Sequence, residues 1–218
     1  MRKSFRTAYG EWQLPELLQT HSGLSLRPCE NGLTVIAGDI EFTAQYADHE
    51  EITDSYQVEI RVPRDFPRSL PTVRELRGRI PKTFHTQPDG TLCLGSPVRL
   101  QLEVRRRPTL PSFVTRCLIP YLYGFTYKER HGKLPQGELT HGRKGLIQDY
   151  MALFHLASDS ACLEMIHLAS FKKRVANKKP CFCGSGIRLG RCHNRKVNDA
   201  RRRLGRTWCS QEYARLKR

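Results

Sequence analysis

Three runs between residues 33 and 62 constrain this chain most. In Leu33-Thr34-Val35-Ile36, Ile40-Glu41-Phe42-Thr43-Ala44-Gln45-Tyr46 and Tyr56-Gln57-Val58-Glu59-Ile60-Arg61-Val62, apolar and polar residues alternate with period two. A strand with that pattern puts its apolar side chains on one face and its polar ones on the other. Gly38-Asp39 and residues 48–54 read as the connections between strands. Pro63, Pro67 and Pro71 stop the third run, since proline has no N–H for the ladder. A shorter strand is expected near residues 73–76, and the whole reads as an antiparallel meander.

Helical patterns flank the meander. Trp12, Leu14, Leu17 and Leu18 can share one helix face between residues 9 and 21, and Pro15 suits a first turn. Residues 110–127 carry apolar residues at helical spacing, with Pro120 expected as a kink or break. Residues 132–145, rich in Gly and His, read as loop. Residues 146–169 read as one helix with Ile147, Tyr150, Met151, Phe154 and Leu163 inward. Residues 172–180 read as a basic linker. Together the segments predict an α+β fold.

The net charge of +16 is unevenly spread. Residues 1–170 hold 21 Lys and Arg against 19 Asp and Glu, while residues 171–218 hold 16 against two. A nearly neutral body (residues 1–170) and a basic tail (residues 171–218) are expected to be two physical objects. The tail should attract polyanions or acidic protein faces. No apolar run reaches the roughly 18 residues of a membrane-spanning helix. Residues 1–6 are basic without an apolar stretch behind them, which does not read as a secretory signal. Eight cysteines then suggest reduced thiols and metal ligands rather than a disulfide framework.

The first chemical feature is His85-Thr86-Gln87-Pro88-Asp89-Gly90-Thr91-Leu92-Cys93-Leu94-Gly95. Asp-Gly reverses the chain because Gly accepts positive φ. The turn presents Cys93 on a short extended segment, with His85 eight residues upstream. A thiol between leucines is most often a core residue; here the turn and the preceding meander favour a covalent acyl carrier. Cys29, Cys117 and Cys162 read as core or incidental thiols, and residues 105–107 as a solvated arginine run.

Helix, meander, proline-rich segment, cysteine loop and helices follow one another in an order that resembles the ubiquitin-conjugating enzymes, above all their bacterial relatives. The resemblance spans roughly residues 9–157. It is sharpest at Phe66-Pro67 and in Gly90-Thr91-Leu92-Cys93-Leu94, which looks like that family's active-site run. Residues 132–135 and 137–142 look like loops of the bacterial branch. The resemblance implies a cysteine transferase in which Cys93 takes the C-terminus of a ubiquitin-like protein as a thioester and passes it to an amine. Its implied partners are an activating enzyme, a protein amine acceptor, and a carried group that is a ubiquitin-like protein or the C-terminus of a nucleotide cyclase. The implied setting is antiphage defence in the bacterial cytoplasm. The family keeps an Asn oxyanion donor eight residues before its cysteine, where this chain has His85. His85 and Gln87 are therefore both candidate donors, and His141 is a further candidate catalytic residue.

The second chemical feature is Pro180-Cys181-Phe182-Cys183-Gly184-Ser185-Gly186 followed by Arg191-Cys192-His193. Three thiolates and an imidazole at this spacing match a closed tetrahedral site for structural zinc. So short a segment builds no core and needs the metal to hold its shape. The match resembles the SEC-C zinc motif over about residues 177–195, a docking element for proteins or ribosomes. Cys181, Cys183, Cys192 and His193 are its four implied ligands. Beyond it, residues 197–216 are rich in arginine and can be helical. Two rival functions stay open beside the transferase. One is a non-catalytic scaffold that binds a ubiquitin-like protein. The other is a nucleic-acid-binding adaptor acting through the basic tail.

Overall fold

The computed structural model describes residues 10, 12–30, 32–135 and 142–217. They form an α+β protein whose residues divide into two compact units. Unit 1 holds residues 1–95 and 106–138, and unit 2 holds residues 96–105 and 139–218.

Unit 1 is built on one four-stranded antiparallel sheet in the order β1-β2-β3-β4. Its strands are β1 (Leu24–Glu30), β2 (Leu33–Ala44), β3 (Ile52–Val62) and β4 (Thr72–Glu75). The meander is as the alternation predicts, with two corrections. Residues 33–44 are one continuous strand, so Gly38-Asp39 is no connection. Gly38 has φ 145, and a Cβ there would stand 2.0 Å from the carbonyl oxygen of Gly23. It is a close approach of β1 to β2, where Leu24 pairs with Gly38, and the sequence pattern does not tell it from a turn. The second correction is β1 itself, which the alternation does not reveal.

The inner sheet face gathers Ile36, Ile40 and Phe42 of β2 with Ile52, Tyr56, Val58, Ile60 and Val62 of β3, all buried. Ile36 stands opposite Ile60, and Ile60 opposite Val73 of β4. Each such side chain, fully buried, is worth about 1.5–3 kcal/mol. Ahead of the sheet lies α1 (Leu14–Thr20), with Leu14 and Leu17 buried.

The expected break at Pro120 takes a particular form. The chain runs through α3 (Leu110–Phe113), a wide π turn (Val114–Leu118) and α4 (Ile119–His131). Proline supplies no N–H for the regular helical ladder, and the π turn absorbs that gap. Helix α4 packs on β2 and β3. A buried polar relay also joins it to β3: Tyr56 Oη meets Thr126 Oγ1 at 2.7 Å, and Thr126 donates to Asp54 at 2.8 Å. Arg79 grips Asp54 through both guanidinium nitrogens at 2.9 and 2.7 Å.

Unit 2 is helical. Its elements are α2 (Pro97–Arg106, the last residue counted with unit 1), α5 (Gly142–Phe154), α6 (Asp159–Ser170), α7 (Lys173–Ala176), α8 (Asn194–Leu204) and α9 (Arg206–Lys217). Helix α2 is not foreseen by the sequence reading. The single helix expected over residues 146–169 is two, because Ser158 starts a new one. Its hydroxyl accepts the N–H of Ala161 at 3.2 Å, an N-cap that satisfies a donor the helix leaves open. Residues 172–180, expected as linker, contain α7 with Ala176 buried.

One apolar core serves all of unit 2. It joins Val98, Tyr150, Phe154, Met165 and Ile166 to Ala176, Cys181, Leu189, Val197, Ala200, Leu204, Cys209 and Leu216. A cut at residue 170 would pass through this core. No helix among the described residues is long and apolar enough to cross a membrane.

Candidate functional site

Cys93 sits on the returning arm of a tight hairpin. Gln87 donates its backbone N–H to Thr91 at 2.8 Å, Thr86 pairs with Leu92, and Cys93 donates its N–H to the carbonyl of His85 at 2.7 Å. Those contacts define an antiparallel register in which His85 and Cys93 occupy one rung. Gly90 closes the turn at φ 84, and its N–H donates to the Gln87 carbonyl at 2.9 Å. Asp89 accepts from the Thr91 N–H and hydroxyl at 3.0 and 2.7 Å. These Thr91 hydrogen bonds hold the Asp89 carboxyl below the usual carboxylate range.

The hairpin is tied down on two sides. Leu92, buried, donates its N–H to Val73 of β4 at 2.8 Å. Tyr121 of α4 donates its hydroxyl to the carbonyls of Phe84 and His85 at 3.2 and 3.3 Å. Burial pushes the Tyr121 pKa above the usual tyrosine range, so it remains a donor. His85 has φ 37, in the left-handed region. Its ring stands edge-on to Phe84 with centroids 4.7 Å apart. Cys93 is half-buried, with Sγ 4.0 Å from the carbonyl oxygen of Gly95.

The structure therefore brings His85 and Cys93 to one rung. It leaves Gln87 exposed, two residues nearer the turn. His141 and residues 137–140 lie outside the described residues. Tyr121 is the residue the sequence reading missed. A helical tyrosine carries no local sign that its hydroxyl reaches a loop 36 residues upstream. Cys117 and Cys162 are buried, as core thiols are, and burial pushes Cys162 up to about 12.

The second cluster is compact. The ligand atoms of Cys181, Cys183, Cys192 and His193 all lie within 4.8 Å of one another. Cys183 Sγ is 3.6 Å from Cys192 Sγ. His193 Nδ1 is 3.3 Å from Cys181 Sγ and 3.2 Å from Cys192 Sγ. A tetrahedral ion with metal–sulfur bonds of about 2.3 Å and metal–nitrogen bonds of about 2.0 Å has edges of roughly 3.5–3.8 Å. The spacing of these donors suits such an ion, and the four can hold a metal.

Local chemistry explains why the chain folds this way here. Gly184 and Gly186 adopt φ 75 and 72, letting the first two cysteines turn back on themselves. The Cys181 N–H donates to Ile187 at 2.9 Å, and Pro180 pairs with Arg188. A short 3₁₀ turn (Leu189–Arg191) delivers Cys192, and His193 stands at the N-terminus of α8. Asn194 donates its side-chain N–H to Gly190 at 2.6 Å, and Gly190 donates its N–H to the Asn177 carbonyl at 3.1 Å. Ser185 Oγ lies 3.2 Å from Cys183 Sγ. Hydrogen bonds from the Ser185 hydroxyl and backbone push the Cys183 thiol down to about 6, whereas burial pushes Cys181 up.

The chain matches no protein-family model, no curated protein and no solved structure.

Proposed function

We propose that this protein is a ubiquitin-conjugating-type transferase, with Cys93 carrying the C-terminus of a ubiquitin-like protein or of a nucleotide cyclase as a thioester. The observation that carries this reading is the half-buried Cys93 thiol held on one backbone rung with His85, on a hairpin anchored to both β4 and α4. The helix, meander, hairpin and helix order of unit 1 supports it as well.

Loading is a thioester exchange. Cys93 Sγ attacks the carbonyl carbon of the carrier's C-terminal thioester on an activating enzyme, and the activating enzyme's thiolate leaves. Transfer follows when an amine attacks the Cys93 thioester, loses a proton and expels the Cys93 thiolate. Both steps pass through a tetrahedral oxyanion, which needs a fixed donor. His85, on the cysteine's own rung, is the first choice for that donor and Gln87 the second.

At the other cluster, zinc is the ion that suits three thiolates and an imidazole. It would bind Cys181, Cys183, Cys192 and His193 and act as a cross-link, since protein fills all four positions. Cys181 belongs to the core of unit 2 and Cys192 packs against it, which fits a structural role.

The test is loading with a ubiquitin thioester carrying a small thiol leaving group, followed by peptide mass spectrometry. The adduct should map to Cys93 and be cleaved by reductant. Cys93→Ser should give at most a slow, reductant-stable ester. An undiminished reductant-sensitive adduct in Cys93→Ser would overturn the assignment.

A further inference from the structure

The basic tail is not uniformly free to bind. Arg201, half-buried, donates from Nε to the Ala169 carbonyl at 3.2 Å and from Nη2 to the Leu168 carbonyl at 3.0 Å, and it also bonds the Asn198 side-chain oxygen. Arg206 donates to the Ser170 carbonyl at 3.2 Å. These two arginines cap the C-terminal end of α6, where carbonyls lack partners and the helix dipole is negative. Lys196 is spent on the His155 carbonyl at 2.9 Å.

Three of the other cations share one groove. Between α7 and α8 lies an open groove of about 650 Å³, lined by Lys173, Asn194, Arg195, Asn198, Arg201 and Arg202. The lining has four cations and two amides and no acid. Lys173, Arg195 and Arg202 are exposed, while the wall behind them is fixed by the Arg201 bonds. Asp199 pairs with Arg202 and Arg203 at 3.0 and 3.3 Å. Exposed pairs of this kind are worth about 1 kcal/mol or less and are readily exchanged for a phosphate.

We infer that this groove binds the phosphodiester backbone of single-stranded nucleic acid. Arginine forks and amide N–H groups suit phosphate oxygens. Lys172, Arg174 and Lys178, neighbours of Lys173 in the sequence, are exposed as well, and a run of cations suits a polymer of evenly spaced charges better than a small phosphorylated ligand. A flexible strand can turn its phosphates toward both walls of such a groove more readily than a stiff duplex can. No aromatic ring lines the groove to stack on a base, and contacts to phosphate alone carry no sequence information.

The probe is a fluorescein-labelled single-stranded RNA of 20 nucleotides, titrated with the zinc-loaded full chain across a salt series. Single-stranded DNA, duplex DNA and polyglutamate of equal charge are run in parallel. Lys173→Ala/Arg195→Ala/Arg202→Ala should weaken RNA binding on the order of tenfold and lower the salt slope by about two units, for three lost contacts on a single strand. The control is Arg27→Ala/Arg68→Ala/Lys82→Ala, which removes the same charge from exposed positions of unit 1 and should cost much less. Circular dichroism confirms that both variants fold. Equal losses in the two triples would mean diffuse attraction only and overturn the site. Groove-dependent binding of polyglutamate as tight as that of RNA would overturn the ligand class, and preference for duplex would overturn the single-strand claim. Tighter binding of RNA than of DNA would show the sugar being read as well. Cys93→Ser should bind RNA normally, so this result stands or falls apart from the thioester test.

Discussion

At the scale of single residues, the proposed thioester chemistry turns on two side chains beside Cys93. His85 occupies φ 37, a region that Asn tolerates far better than Ala. His85→Asn is therefore the conservative variant, able to keep both the backbone and a donor. His85→Ala should load nearly normally yet discharge to amines about 10²–10³-fold more slowly, the usual loss for one oxyanion donor, and His85→Asn should recover much of that. Single-turnover discharge of preloaded protein measures it, and normal discharge by His85→Ala would pass the role to Gln87. Tyr121 acts at one remove, through the two carbonyls it holds. Tyr121→Phe keeps the ring packing and loses both bonds, so unit 1 should lose about 1–2 kcal/mol in urea unfolding. The Cys93 amide should then exchange faster with deuterium. The cysteine and its turn are legible in the sequence because their chemistry is local. Tyr121 is not, because a long-range hydrogen bond leaves no mark on neighbouring positions.

At the scale of elements, the sequence is readable wherever one face meets water. Strands β2 and β3 alternate because they are half-buried, and their register follows from that alternation. It fails where geometry overrides pattern. Gly38 looks like a turn residue yet lies mid-strand, since β1 and β2 approach too closely there for a side chain. The α5–α6 break hides inside continuous helical periodicity, and only the Ser158 cap marks it. Ser158→Ala should cost about 1 kcal/mol, measured as a shift in the urea midpoint of unit 2. Helix α9 carries a titrating group into the core. Glu212 is buried and accepts from Tyr150 at 3.3 Å and Arg215 at 3.0 Å, and Trp208 donates to the same Tyr150 hydroxyl at 3.1 Å. Burial raises the Glu212 pKa despite these partners. The folded state then binds the proton more tightly than the unfolded chain. Stability from this group is full below about pH 4.5 and falls as pH rises toward the folded pKa. Glu212→Gln should flatten that decline and leave unit 2 more stable at pH 7. An unchanged pH profile of thermal unfolding would remove Glu212 as its cause.

At the scale of the whole molecule, charge and packing draw different boundaries. The charge divides near residue 170, and the sequence alone makes the tail look like an appendage. Packing instead puts Cys181 and Leu189 of the cysteine loop and both C-terminal helices into one core with α5 and α6. Cys181, Leu189, Val197, Leu204 and Leu216 are buried beside Tyr150, Met165 and Ile166. The charges lie on the outside of α8 and α9 and say nothing of what their inner faces touch. A chain ending at Ser170 would therefore expose the apolar sides of α5 and α6, each large side chain costing about 1.5–3 kcal/mol. It should aggregate or bind the dye ANS, while the sheet signal of unit 1 persists. Metal removal should act more gently. With a metal held as proposed, chelation would leave the core residues present and remove only the cross-link among Cys181, Cys183, Cys192 and His193. Hydrogen exchange should then rise first in residues 177–193 and later in α8. The full chain with and without chelator, compared with the chain ending at Ser170, separates the two effects. If the shortened chain stays monomeric with α5 and α6 protected, the shared core is not what holds unit 2 together.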